Sequence, residues 1–281
     1  MTERVAPGTL LSRRFRLVLL HLAEEARRDL DGIKTRPARA IHSLRTRMKN
    51  LRAILGLVKA RVAKEQRKIL IALTDAVKDA FAEQRDAQVV ALLRAKLDGR
   101  AGAAPGSGRP LKARAGDKLV RADIARLVRL VSKLGLKGLT WGEVIERYVA
   151  CYRDGRKALK ACLRNRSAAS FHKWRRAAKD LFYQSQVLQP LTGMKVRRMR
   201  ADRLAERLGK LHDLHLLNAL VGKPPGEGLR KKIARKKKVA KAAAIKTARK
   251  LYAARPGAIA VELERCAKFH PAVAAQSVRQ T

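Results

Sequence analysis

Acidic residues are scarce in this sequence: 23 Asp and Glu stand against 66 Lys and Arg, a formal net charge of +43 on 281 residues. A chain so one-sided repels itself unless an anion lies close by, so a polyanionic partner is expected. Aromatic residues make up only 4%, and this argues against RNA and single-stranded DNA, whose binders stack bases on aromatic platforms. Cysteines number three, at positions 151, 162 and 266. Their odd count and spacing match neither a disulfide framework nor a zinc knuckle, and a reducing cytoplasm is predicted. No run of apolar residues is long enough to span a bilayer. Residues 17–20 follow Arg13, Arg14 and Arg16, but His21, Glu24 and Glu25 break that run, so it reads as an amphipathic helix and not a signal peptide. Phosphate-binding glycine loops, nucleophile elbows and H-E-x-x-H are missing too. Phosphoryl transfer needs carboxylates to hold magnesium, and few occur where the cations cluster, so a non-enzymatic protein with no metal and no cofactor is predicted.

What is present is a core. Hydrophobic residues reach 47%, which separates the chain from a disordered basic tail. Leu11, Phe15, Val18, Leu22 and Ala26 recur at three- and four-residue steps, and no period-two pattern competes with them. The fold class predicted is all-α. Pro37 suits the first turn of a helix running to about 59, one or two helices follow over 61–97, and others are expected over 117–133, 141–164, 167–189 and 195–220. Segment 98–116, rich in Gly and Ala with Pro105 and Pro110, reads as a linker, as does 222–228. The expected organisation is a first helical half (8–97), the linker (98–116), a second helical half (117–221) and a basic C-terminal extension (222–281). Within that extension, 230–250 holds eleven lysines or arginines and no acidic residue. Self-repulsion predicts a marginal helix when free. Ile233, Ala240, Ala244, Thr247 and Leu251 share one face, however, through which it could fold on a polyanion or against the body.

An internal repeat carries the most information. IHSLRTRMKNLRAIL (41–55) and FHKWRRAAKDLFYQS (171–185) both contain H-x-x-R-x-x-x-K-x-L, from His42, Arg45, Lys49 and Leu51 and from His172, Arg175, Lys179 and Leu181. Arg85-Asp86 with Val89 follows the first copy, and His212-Asp213 with Leu216 follows the second. At about 100° per residue, His42, Arg45, Lys49, Arg52 and Lys59 fall in one sector of a helix, with Arg39 just outside it. Ile41, Leu44, Met48, Leu51, Leu55 and Val58 fill the neighbouring sector and supply a packing face. The second copy repeats the pattern: His172, Arg175, Lys179 and Tyr183 line up beside Trp174, Ala178, Leu181 and Ser185. A further stripe runs through Arg153, Arg156, Lys160 and Arg164. No glutamate relieves the repulsion over 40–60.

These two helices, the R-D-x-x-V segment and the L-G-x-x-x-D segment from Leu208 to Asp213 resemble the CHAD domain, a helical domain named for its histidines, over about 8–221. The resemblance implies two pseudo-symmetric antiparallel four-helix halves around a basic groove or pore. It also implies binding of inorganic polyphosphate and association with polyphosphate granules. Carried over by motif, the binding residues are His42, Arg45, Lys49 and Arg52 with His172, Arg175 and Lys179. Arg39, Arg153, Lys160, Arg176 and Lys210 complete the expected site. The sequence departs from the family pattern at Asp180 and Phe182, where arginines are usual, and at Asn50. The E-x-E-x-K signature of the triphosphate-processing CYTH domain is missing: Glu262 and Glu264 come closest, but Cys266 stands in the lysine's place.

Polyphosphate suits this composition, because it offers dense charge and no bases. Arginine grips phosphate oxygens through a planar fork, lysine acts as a mobile point charge, and affinity should fall steeply with salt. The histidines are expected to be neutral among so many cations and to tighten binding when protonated near pH 5.5. Asp86 and Asp213 are expected to hold groove cations by salt bridges, and His212, Asp213 and His215 are too few for a metal site. The alternative partner is duplex DNA, taken up by the 230–250 tail in the manner of a nucleoid-compacting protein.

Overall fold

The computed structural model describes residues 7–97, 115–165, 167–220 and 227–267. Their apolar steps wind into ten α-helices and one short 3₁₀ turn, and no strand occurs among the described residues. In chain order these are α1 (Pro7–Asp31), α2 (Pro37–Leu57), α3 (Lys64–Asp79), α4 (Ala82–Leu97) and α5 (Ala115–Ser132), followed by α6 (Trp141–Arg164), α7 (Ala168–Thr192), α8 (Lys195–Leu220), α9 (Glu227–Leu251) and α10 (Pro256–Ala267).

Local chemistry sets the ends. Pro37 occupies the first turn of α2, where its missing N–H costs nothing. Thr140 and Glu143 form a reciprocal capping box at the start of α6, with Thr140 Oγ1 accepting from the Glu143 amide at 3.2 Å and Glu143 Oε2 accepting from the Thr140 amide at 2.9 Å. Ser167 caps α7, and Gly193 ends it in the left-handed conformation (φ 66°) that glycine adopts without penalty.

The centre of the molecule is the pairing of α2 with α7. α1 backs α2, while α6 and α8 back α7. The packing face read from the repeat is buried as expected: Ile41, Leu44, Met48, Leu51, Leu55 and Val58 are at most 1% exposed, and Trp174, Ala178 and Leu181 likewise. A Cβ on Gly56 would stand only 3.3 Å from Gln184 Nε2, so glycine there lets the two helices approach closely.

Helix packing crosses between the two expected halves. α5 lies on α1 and α3, covering its stripe of Val120, Ile124, Leu127 and Val131, and Arg121 pairs with Asp31 of α1 at 2.7 Å. α4 packs mainly on α8 and keeps a smaller contact with α2. The expected linkers lie almost wholly outside the described residues, and where they re-enter, α5 has begun by Ala115 and α9 by Glu227.

The basic segment is folded against the body, one of the two outcomes its shared apolar face allows. Ile233, Ala244, Ala248 and Leu251 of α9 and Ile259 and Leu263 of α10 are buried against α8 and α6. Tyr152 donates to the Ala254 carbonyl at 2.9 Å, and Trp141 Nε1 donates to that of Leu263 at 3.3 Å. Apolar burial here outweighs the repulsion along the helix. Among the described residues no helix is long and apolar enough to cross a membrane.

Candidate functional site: a cationic cleft between α2 and α7

The basic stripes of α2 and α7 face each other across a cleft of about 720 Å³, walled by α3, α4 and α8. Nine of the twelve expected site residues line it: His42, Arg45, Lys49 and Arg52 from α2, His172, Arg175, Arg176 and Lys179 from α7, and Lys210 from α8. Three do not. Arg39 is exposed on α2 one turn before His42. Arg153 and Lys160 line a separate groove of about 500 Å³ with Arg249 and Tyr252. Helical spacing relates these residues to their own helix only, and α6 turns their stripe towards α9 and α10.

Two cations in the cleft were not anticipated as ligand-facing groups. Lys78 comes from α3 and carried no signal in the sequence, whereas Arg85 belongs to the R-D-x-x-V segment, read as structural.

Carboxylates are far more prominent than expected. Asp75, Asp79, Asp86, Asp180, Glu206 and Asp213 all line the cleft, brought there by α3, α4, α7 and α8. The scarcity of acidic groups around the cations therefore does not survive folding. Asp75 accepts two bonds from Arg52, at 2.9 and 3.0 Å, and pairs with Lys78 at 2.7 Å. Lys210 pairs with Glu206 at 2.7 Å. Arg45 is tied instead to the backbone carbonyl of Lys78. Asp86 and Asp213, expected to bridge the groove cations, make no direct ion pair with a described cation. Their charges reach Arg175 through space.

At the floor, Lys49 has no ion-pair or hydrogen-bond partner among the described residues. Burial, then the charges of Arg175, Arg45, Lys179 and Lys78, push its ammonium down to about 7. Burial, with Arg175 next, lowers Lys179 as well. His42 stands exposed at the rim, its pKa lowered by partial desolvation and then by Arg85 and Lys49. His212 is pushed down to about 3 by burial and then by Arg175, and its buried Nδ1 has no partner. Its ring meets that of His172 edge-on at 5.2 Å, while His215 stacks on Phe171 at 5.5 Å. Asp180 is raised to about 6 by burial, against the opposing charge of Arg52. Among the described residues no three His, Cys, Asp or Glu side chains are grouped to hold a metal ion.

Fold and cleft together define an all-α protein whose cleft cations outnumber the carboxylates beside them among the described residues. The CHAD domain family model matches residues 10–222, and the chain belongs to the CHAD domain family, which is associated with polyphosphate binding. No curated protein and no solved structure matches the chain. α9 and α10 lie beyond the matched span.

Proposed function

We propose that this protein binds inorganic polyphosphate in the α2–α7 cleft without chemically altering it, in the cytoplasm and at polyphosphate granules. The observation that carries this reading is the meeting of both H-x-x-R-x-x-x-K helices in one cleft, around a lysine with no ion-pair partner among the described residues. An anion entering there would meet Lys49, Arg175 and Lys179 in a low-dielectric floor, where each contact is stronger than on an open surface. Its negative charge would restore the ordinary protonation of Lys49. Asp75 and Glu206 are already engaged with Arg52, Lys78 and Lys210, which leaves them less free to bind magnesium.

The test combines Arg45→Gln, Arg175→Gln and Lys179→Gln and measures binding of long-chain polyphosphate alongside thermal unfolding. Loss of binding at unchanged melting temperature supports the reading, and unchanged affinity in a folded variant overturns it. Incubation of the wild type with polyphosphate and magnesium should release no orthophosphate. In competition at fixed ionic strength, polyphosphate should displace duplex DNA at equal phosphate concentration. The reverse order would favour DNA as the partner.

A further inference from the structure

α9 presents its cations from a fixed position. Ile233 and Ala244, at 1% and 0% exposure, seat one edge of the helix in the core and so set its rotation. Lys232, Arg235 and Lys236 are thereby held opposite Arg207 and Lys210 of α8, along a groove of about 710 Å³. The Arg207 guanidinium is pinned by the Ala243 carbonyl at 2.6 Å and by the Thr247 hydroxyl, which leaves it a fixed donor and not a waving surface charge.

Two features connect this groove to the cleft and set it apart. Lys210 lines both, so the cationic track continues from the cleft across α8. The cleft carries six carboxylates, whereas no acidic side chain among the described residues lines the groove. Lys210 pairs with Glu206, but Lys232, Arg235 and Lys236 have no ion-pair partner among the described residues, and an external anion must supply what the protein does not.

We infer that the α8–α9 groove is a second segment of the binding site, filled by the distal stretch of the same polyphosphate chain that occupies the cleft, so that the protein selects long chains over short ones. This rests on the cleft being the polyphosphate site. A chain held at the cleft presents its remainder to the groove at an effective concentration on the order of millimolar, well above that of any free competitor. A flexible single chain follows the track around α8, whereas a stiff duplex presents a convex face to a concave groove.

The test is the variant Lys232→Gln, Arg235→Gln, Lys236→Gln, whose side chains are all exposed and pack on nothing in the core. Tripolyphosphate, long enough for the cleft only, and long-chain polyphosphate are titrated against it and against the wild type. A control neutralises Arg13, Arg16 and Lys34, exposed residues that line neither site. Long-chain affinity should fall about tenfold and its logarithmic salt slope should shrink by about 2 to 3, while tripolyphosphate binding and the control stay at wild-type values. Equal losses for both chain lengths, an equal loss in the control, or no loss at all overturn the inference. Loss of duplex DNA binding with long-chain polyphosphate unaffected overturns it too, and names DNA as the occupant. If the wild type fails to bind tripolyphosphate, it is the cleft reading that falls, and the inference falls with it.

Discussion

Gln184 of α7 donates a hydrogen bond from its Nε2 to the backbone carbonyl of Ala53 in α2, at 2.9 Å and fully buried. It is a direct polar tie between the two helices that carry the repeated motif, and Gly56 beside it leaves room for the contact. Gln184→Ala removes the bond and opens a void at the helix pair. It should cost about 2 to 4 kcal/mol of unfolding free energy. Polyphosphate affinity should weaken as the facing stripes lose their register. Chemical denaturation and a binding titration on the same sample check both.

Lys49 predicts a proton-linked affinity. Its ligand-free pKa lies near 7, and a bound polyanion should restore it towards the ordinary value, so binding above pH 7 takes up a proton. Affinity should therefore fall by about tenfold per unit as pH rises from 7 towards 9. Lys49→Arg, charged at every accessible pH, should abolish that slope. Stability of the ligand-free protein runs the other way. The unfolded lysine titrates near 10.5 and the folded one near 7, so the unfolded state holds the extra proton between those values and stability rises with pH across that window. Lys49→Met should flatten the rise, as thermal melts between pH 6 and 10 would reveal.

Asp75 holds Arg52 and Lys78 in ion pairs, so on the proposed reading polyphosphate competes with it for both. Asp75→Asn keeps the side-chain shape, removes one negative charge from the cleft wall and releases both cations. Affinity for polyphosphate should increase by about two- to fivefold at low salt, the size of a partly exposed ion pair, and the gain should vanish as salt is raised. A weakened affinity would mean that Asp75 serves to position the two cations.

Gly155 tests whether α9 and α10 belong to the folded body. A Cβ at Gly155 would lie 2.7 and 2.9 Å from two ring carbons of Tyr252, which packs edge-on to Tyr152 with ring centroids 5.3 Å apart. Gly155→Ala should therefore destabilise the protein by about 1 to 3 kcal/mol. Removing 223–281 uncovers Tyr152, Trp141 and the buried edge of α8. That truncation should broaden the thermal transition and promote aggregation, where a detachable tail would leave the melt unchanged.

Much of this was legible before folding. The predicted spans 141–164 and 195–220 coincide with α6 and α8, because a capping threonine, strong apolar steps and sharp breaks mark them. α7 runs three residues past the predicted 189, through Pro190, because Leu188 and Leu191 are buried and Gly193 provides the stop. Arg153 and Lys160 form a genuine stripe yet face away from the cleft, since spacing along α6 contains nothing about what α6 packs against. Lys78 and Asp75 come from a helix with no motif at all, and their place in the wall follows only from α3 packing on α2.

The order of residues alone determined the helical period, the excess of positive charge and the alignment of each cationic stripe with its own packing face. All of these arise from interactions within a few turns of one helix. Tertiary structure decided which stripes meet, which carboxylates join them, and that α9 is seated in the body. Those outcomes depend on how each helix is rotated to bury its apolar edge against partners distant in the chain. The same burial strips water from Lys49, a consequence that no local pattern of charges contains.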